Sequence, residues 1–266
     1  MAVKANHDIS SGLDTAFINS AINSNLAYRP EFVSNDYTQG KKVSVAIERE
    51  LRHCDAFYIS VAFITEGGLA PLKQVLAELR DKGIPGKILT TSYLTFTEPK
   101  ALKTLADLSN VEVRVYDSTD EGASGFHTKG YIFKEEEIYR FIVGSSNMTA
   151  SAFSVNKEWN TKLVSTSDGE LLKQMMTEFE ALWNSEHTYA VEDFIEDYEV
   201  RYKLIKEQKK NAAKEQTVDL QAYKLKPNKM QARFVNNFRN LLESNEHRGL
   251  LVSSCGSGKT YASAFA

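Results

Sequence analysis

Apolar positions along this chain switch between two spacings. From 41 to 53 the residues Val43, Ile47 and Leu51 recur every four positions and mark one face of a helix. The run 56–63 is rich in aromatic and β-branched residues and reads as a strand. Residues 69–82 read as an amphipathic helix that stops at Gly83. A strand at 87–91, a helix at 100–108 and a strand at 111–116 follow. This alternation predicts an α/β fold, a sheet covered by helices. Ahead of it, 14–25 has helical spacing at Phe17, Ile18, Ala21 and Ile22, with Asp14 as N-cap. Beyond it, the acidic, turn-rich stretch 117–126 predicts a loop. Strands are then expected at 128–133, 138–143 and 158–165, the first two joined as a hairpin by the polar link 134–137. The helix expected over 170–184 carries Leu171, Met175, Phe179 and Leu182 as a core stripe. A long charged helix from about 190 to 215 reads as a linker between domains.

Composition changes this picture little. The 266 residues are 42% hydrophobic and 25% charged, ordinary for a globular protein with a sizeable core. A net charge of −3 gives no global attraction to polyanions, so any DNA contact must come from a local patch. Lys203, Lys206, Lys210 and Lys214 form one such helical stripe, although a solvated linker face is the safer reading of them. Cys54 and Cys255 suggest neither a disulfide framework nor a metal site, which fits a reduced cytoplasmic setting. No signal peptide opens the chain, and no apolar run approaches the roughly 20 residues that span a bilayer.

Chemistry concentrates in two short segments. His127 and Lys129 stand two residues apart in an extended run, so both project from one face. The strand at 138–143 delivers Gly144, Ser145, Ser146 and Asn147. An imidazole, an ammonium, a hydroxyl and an amide at one spot suit a phosphodiester: the imidazole can attack phosphorus and the others can hold its oxygens. Each residue also has a plain structural explanation. His127 could sit hydrogen-bonded at a sheet edge, Lys129 could be an ordinary strand lysine, and Gly-Ser-Ser-Asn could cap the helix near Met148. Glu158 opens the next strand in Asn-Lys-Glu-Trp-Asn, and Trp159 reads as core.

His-x-Lys followed by Gly-Ser-x-Asn resembles the signature of the phospholipase D superfamily, and its nucleases in particular. The segments 61–69 (VAFITEGGL), 91–102 (TSYLTFTEPKAL), 144–149 (GSSNMT) and 156–160 (NKEWN) resemble the nuclease domain fused to the front of bacterial superfamily 2 helicases. Where many members carry Asp five residues after the motif lysine, this chain has Lys134, so only the His-Lys-Asn core of the motif is retained. The resemblance implies a phospholipase D-like mixed sheet flanked by helices. It also implies roles: His127 as nucleophile, Lys129, Ser145 and Asn147 as phosphate ligands, and Glu158 as the group hydrogen-bonded to His127. The family supplies its general acid from a second histidine motif. Only one copy is present here, and His7, His53, His187 and His247 lie in other contexts. A homodimer with two His127 residues meeting at its two-fold axis is therefore expected, needing no metal. The expected function is metal-independent cleavage of DNA; a non-catalytic DNA-binding or dimerisation module and a lipid or small-molecule phosphodiesterase are the alternatives.

A second motif lies near the end. Ser253-Ser-Cys-Gly-Ser-Gly-Lys-Thr260 resembles a Walker A loop, with Gly256, Gly258, Lys259 and Thr260 at the phosphate and Mg²⁺ positions of ATP. Gln231 matches the adenine reader upstream in such helicases. The expected organisation is a nuclease domain over 1–187, a helical linker over 188–225 and an incomplete RecA-like segment over 226–266. That segment carries a Walker A loop without its partners and is not expected to hydrolyse ATP alone.

Overall fold

In a computed structural model of the chain, residues 2–17, 25–216, 227–246, 248, 250 and 262 are described. The chain separates into two units, one running to Lys206 and the other starting at Glu207.

In chain order the first unit contains α1 (Ala2–Phe17), β1 (Glu31–Val33), α2 (Val43–Leu51), β2 (Ala56–Val61), α3 (Glu66–Leu69), α4 (Lys73–Asp81), β3 (Gly86–Thr91) and α5 (Pro99–Ala106). There follow β4 (Val111–Tyr116), β5 (Lys129–Glu135), β6 (Ile138–Gly144), α6 (Ala150–Ser154), β7 (Asn160–Thr166), α7 (Glu170–Trp183), β8 (Thr188–Ala190) and α8 (Val191–Gln216), which crosses into the second unit. The strands form one eight-stranded sheet in the order β1-β7-β6-β5-β2-β3-β4-β8. β2, β3 and β4 are parallel, and the remaining pairings are antiparallel. The expected mixed sheet flanked by helices is the observed fold.

The strand periodicity sorts the core. Phe57, Ile59 and Val61 of β2, with Tyr131 and Phe133 of β5, bury themselves under α2, α4 and α5. On the opposite face Ile132 and Phe141 pack under α7 through Leu172, while Phe179 and Trp183 close the adjoining cluster with Ala62, Leu89 and Tyr116. Val43, Ile47 and Leu51 are fully buried, as their spacing requires.

Several expectations shift. The first helix lies at 2–17 rather than 14–25, of which 18–24 fall outside the described residues. Of the stripe expected on α7, Phe179 is buried and Met175 and Leu182 are partly buried, while Leu171 is 51% exposed and Leu172 and Trp183 are buried in addition. The helix read as a linker does more than link. Val191, Phe194 and Tyr198 join the main core, so the first unit extends past the expected boundary at 187. Their burial removes apolar area that a free linker would leave in water.

In the second unit, α9 (Lys229–Glu243) begins with a capping box. The Asn228 side chain accepts from the Gln231 N–H, and Gln231 Oε1 accepts from the Asn228 N–H, both at 2.9 Å. Gly256, Gly258, Lys259 and Thr260 lie outside the described residues.

Candidate active site

Topology gathers the candidate residues at one end of the sheet. Because β5 runs antiparallel to β2, Lys129 pairs with Val61 at the carboxyl end of β2. β6 reverses again, so Gly144 ends at the same edge, opposite Asn160 at the start of β7. His127, Lys129, Ser145, Asn147 and Glu158 therefore all leave the sheet where the parallel strands β2 and β3 also end, the usual ligand side of such sheets.

Local contacts fix each residue. Before β5, Phe126 is buried and stacks on Tyr116 with centroids 5.5 Å apart. Thr128 is tied to β2, its carbonyl accepting from Ala62 N–H at 3.0 Å and its hydroxyl lying 2.6 Å from that of Ser60. His127, held between these anchors, is exposed. The Lys129 ammonium donates to the His127 carbonyl at 2.8 Å and lies 2.5 Å from Nδ1. Burial pushes the Lys129 pKa down, and the charge of Glu158 partly restores it.

The 144–149 segment is docked just as firmly. The Cβ of any larger residue at Gly144 would lie 2.2 Å from the Trp159 carbonyl oxygen, so this strand end can approach β7 only as glycine. Ser145 N–H donates to that carbonyl at 3.1 Å, and the Trp159 N–H donates to Ser145 Oγ at 3.1 Å. Ser145 Oγ in turn donates to Glu158 Oε2, and Glu158 is buried. Asn147 Oδ1 accepts from the Phe63 N–H at 3.2 Å, locking the turn to the end of β2. Behind them, the buried Asn160 amide accepts from Ser146 N–H and donates to Ser146 Oγ.

Two expectations need correction, for Glu158 and Trp159. Glu158 contacts Ser145 rather than His127: Ser145 directly follows β6, the strand paired with β7, and its hydroxyl donates to the carboxylate. Trp159 is not core but 75% exposed, packed only edge-on against Phe32 at 6.0 Å, because Glu158 and Asn160 on either side take the inward positions. Lys134 lies far from the site. It sits five residues down β5, roughly 16 Å away at strand rise, on the opposite face from Lys129. His187 is engaged elsewhere, its Nδ1 3.3 Å from Asp120.

Two openings reach this edge. A groove of about 640 Å³ includes Phe63, Phe96, Glu98, Asn147, Thr149 and Glu158 in its lining. On the α7 side, an apolar cavity of about 450 Å³ lined by Tyr58, Ile132, Leu171 and Met175 ends at Lys129.

Residues 54–183 match the family model described as cardiolipin synthase, PLD-like domain. Residues 224–266 match a second model, type III restriction enzyme, res subunit. Among solved structures, a phospholipase D family member, Nuc, from Salmonella typhimurium is 16% identical, with 61% of this chain and 98% of that one covered at a TM-score of 0.46. NucT from Helicobacter pylori is 15% identical over the same shares, at 0.47. The yeast tyrosyl-DNA phosphodiesterase is 14% identical over 58% of this chain and 39% of that one, at 0.39. No curated protein matches the chain. All five candidate residues were readable from the motif; the exposure of Trp159 and the groove beside Phe96 left no signal that periodicity could separate from core packing. No helix among the described residues is long and apolar enough to cross a membrane.

Proposed function

We infer that this protein is a phosphodiesterase that cleaves DNA through a covalent His127 intermediate, without a metal, as the front part of a helicase-nuclease. The observation that carries this reading is the convergence of His127, Lys129, Ser145 and Asn147 on one sheet edge inside the PLD-like match. The match of 224–266 to a restriction-enzyme model supports DNA over other phosphodiesters.

The chemistry follows from the contacts. With Lys129 donating to Nδ1, the imidazole proton sits on Nε2. Attack needs a free Nε2 lone pair, so Lys129 must exchange its Nδ1 contact for a phosphate oxygen and the ring proton must move through solvent from Nε2 to Nδ1. The Nε2 pair then forms a bond to phosphorus while the bond to the leaving oxygen breaks, and a second imidazole gives that oxygen its proton. Water then hydrolyses the phosphohistidine. Lys129, Ser145 and Asn147 hold the charge developing on the phosphoryl oxygens. In this reading the second imidazole is His127 of another copy, across a two-fold axis. ATP and Mg²⁺ would serve only the motor segment around Lys259 and Gln231.

Supercoiled plasmid incubated in excess EDTA tests the reading. Nicking by the native chain that is lost in His127→Ala supports it; equal nicking by both removes the nucleophile assignment. The cavity that runs from Leu171 to Lys129 favours one second reading, a lipid phosphodiesterase whose acyl chain fills that space. Headgroup release from anionic vesicles without any DNA nicking would replace the first reading with the second, and binding of DNA without either reaction would mark a binding module. Light scattering checks the dimer.

A further inference from the structure

The wall carrying His127 continues past the reacting group. Phe63 packs edge-on against the His127 ring with centroids 5.7 Å apart, and Phe96 packs edge-on against Phe63 at 4.9 Å. Phe96 remains 48% exposed and lines the groove that also holds Asn147 and Glu158. Three rings thus form one aromatic surface leading from the proposed nucleophile into the groove.

The loop presenting Phe96 is held in a conformation that a free surface loop would abandon. Leu94 and Thr95 take φ values of +50° and +55°, in the left-handed region that disfavours non-glycine residues, β-branched ones most of all. Anchors on both sides maintain it. Thr95 N–H donates to the Ser92 carbonyl at 3.0 Å, the fully buried Thr97 hydroxyl donates to the Thr91 carbonyl at 2.9 Å, and Tyr198 OH donates to the Thr97 carbonyl at 2.7 Å. Strain maintained beside a candidate site is the pattern expected of a positioned binding group.

The groove's polar groups select what the rings receive. Glu98 and Glu158 supply carboxylates that disfavour a second phosphate there, and Asn147 supplies a neutral amide. A neutral, flat group that donates hydrogen bonds at its edge fits both the rings and the carboxylates. Given the reading of the site as a DNA phosphodiesterase, on which this step rests, we propose that Phe96, backed by Phe63, stacks the nucleobase adjoining the scissile phosphate. A base paired inside a duplex cannot present its face to a side chain, so the substrate is single-stranded or locally unpaired DNA.

Binding separates this proposal from the catalytic one. In the full chain carrying His127→Ala, which keeps the oligonucleotide intact, anisotropy of a labelled single strand reports affinity. Phe96→Ala is expected to weaken it about tenfold, in line with the stacking lost per base. Phe96→Leu, which keeps apolar bulk without a ring, should weaken it similarly, and Phe96→Trp should restore it. A strand of abasic residues should bind all four proteins with equal weakness. Equal affinity of Phe96→Ala and its parent for the normal strand overturns the stacking subsite, even if plasmid nicking by the native chain still depends on His127. Phe96-dependent binding without any nicking keeps the subsite and removes the nuclease reading. No binding of single strands at all overturns both.

Discussion

At the residue scale, the electrostatic coupling of Lys129 and Glu158 has a measurable sign. Burial lowers the Lys129 pKa and the Glu158 carboxylate raises it. A phosphate-holding Lys129 must be charged, so activity should fall as pH rises through its pKa. Removing the carboxylate charge removes the raising influence, and the alkaline limb of kcat/KM for Glu158→Gln should move to lower pH than in the native chain. An alkaline limb that stays in place, with kcat alone reduced, would restrict Glu158 to holding Ser145. Both residues were legible in the motif, but their contacts were not. Which oxygen a carboxylate accepts from depends on how β6 and β7 pair, through Gly144 and Asn160, and no local spacing encodes that register. Trp159 shows the same limit: an aromatic residue between two inward-facing neighbours reads as core until the strand is placed against Phe32.

Among the elements, long strands with clear alternation were readable, and the sheet follows from them. Those that escaped are short and at the margins. β1 spans only Glu31–Val33 and β8 only Thr188–Ala190, each paired at an end of the sheet, where few buried side chains mark the chain. For α7 the expected stripe held at Met175, Phe179 and Leu182 and failed at its first position, where Leu172 is buried in place of Leu171. Two adjacent leucines, Leu171 and Leu172, both fit a helical stripe, and the tie is broken only by contact with Ile132 and Phe141. The two substitutions should differ sharply. Leu172→Ala is expected to destabilise the first unit by about 2–4 kcal/mol in urea unfolding, and Leu171→Ala by much less. Equal losses would contradict the observed phase of the helix.

For the whole molecule, the first unit ends inside a helix rather than at its start. Tyr198 is fully buried and donates to the Thr97 carbonyl, and Val191 and Phe194 pack on the same core. A chain cut after Lys206 should therefore unfold cooperatively with nearly the midpoint of the first unit in the full chain. A chain cut after His187 exposes that apolar surface and should lose several kcal/mol or fail to fold. Matching midpoints would make α8 a simple linker after all. Beyond Lys206 the helix sequence is charged, and the side chains of residues 207–211 are exposed.

The central claim is the covalent step, and intact-protein mass spectrometry tests it most directly. Native protein mixed with a DNA substrate and quenched with alkali within the first turnover should carry an added phosphoryl-nucleotide mass. Peptide mapping should place that mass on His127, and the adduct should be absent from His127→Ala. Cleavage of the substrate with no adduct at any quench time, or with an adduct on another residue, would contradict the account.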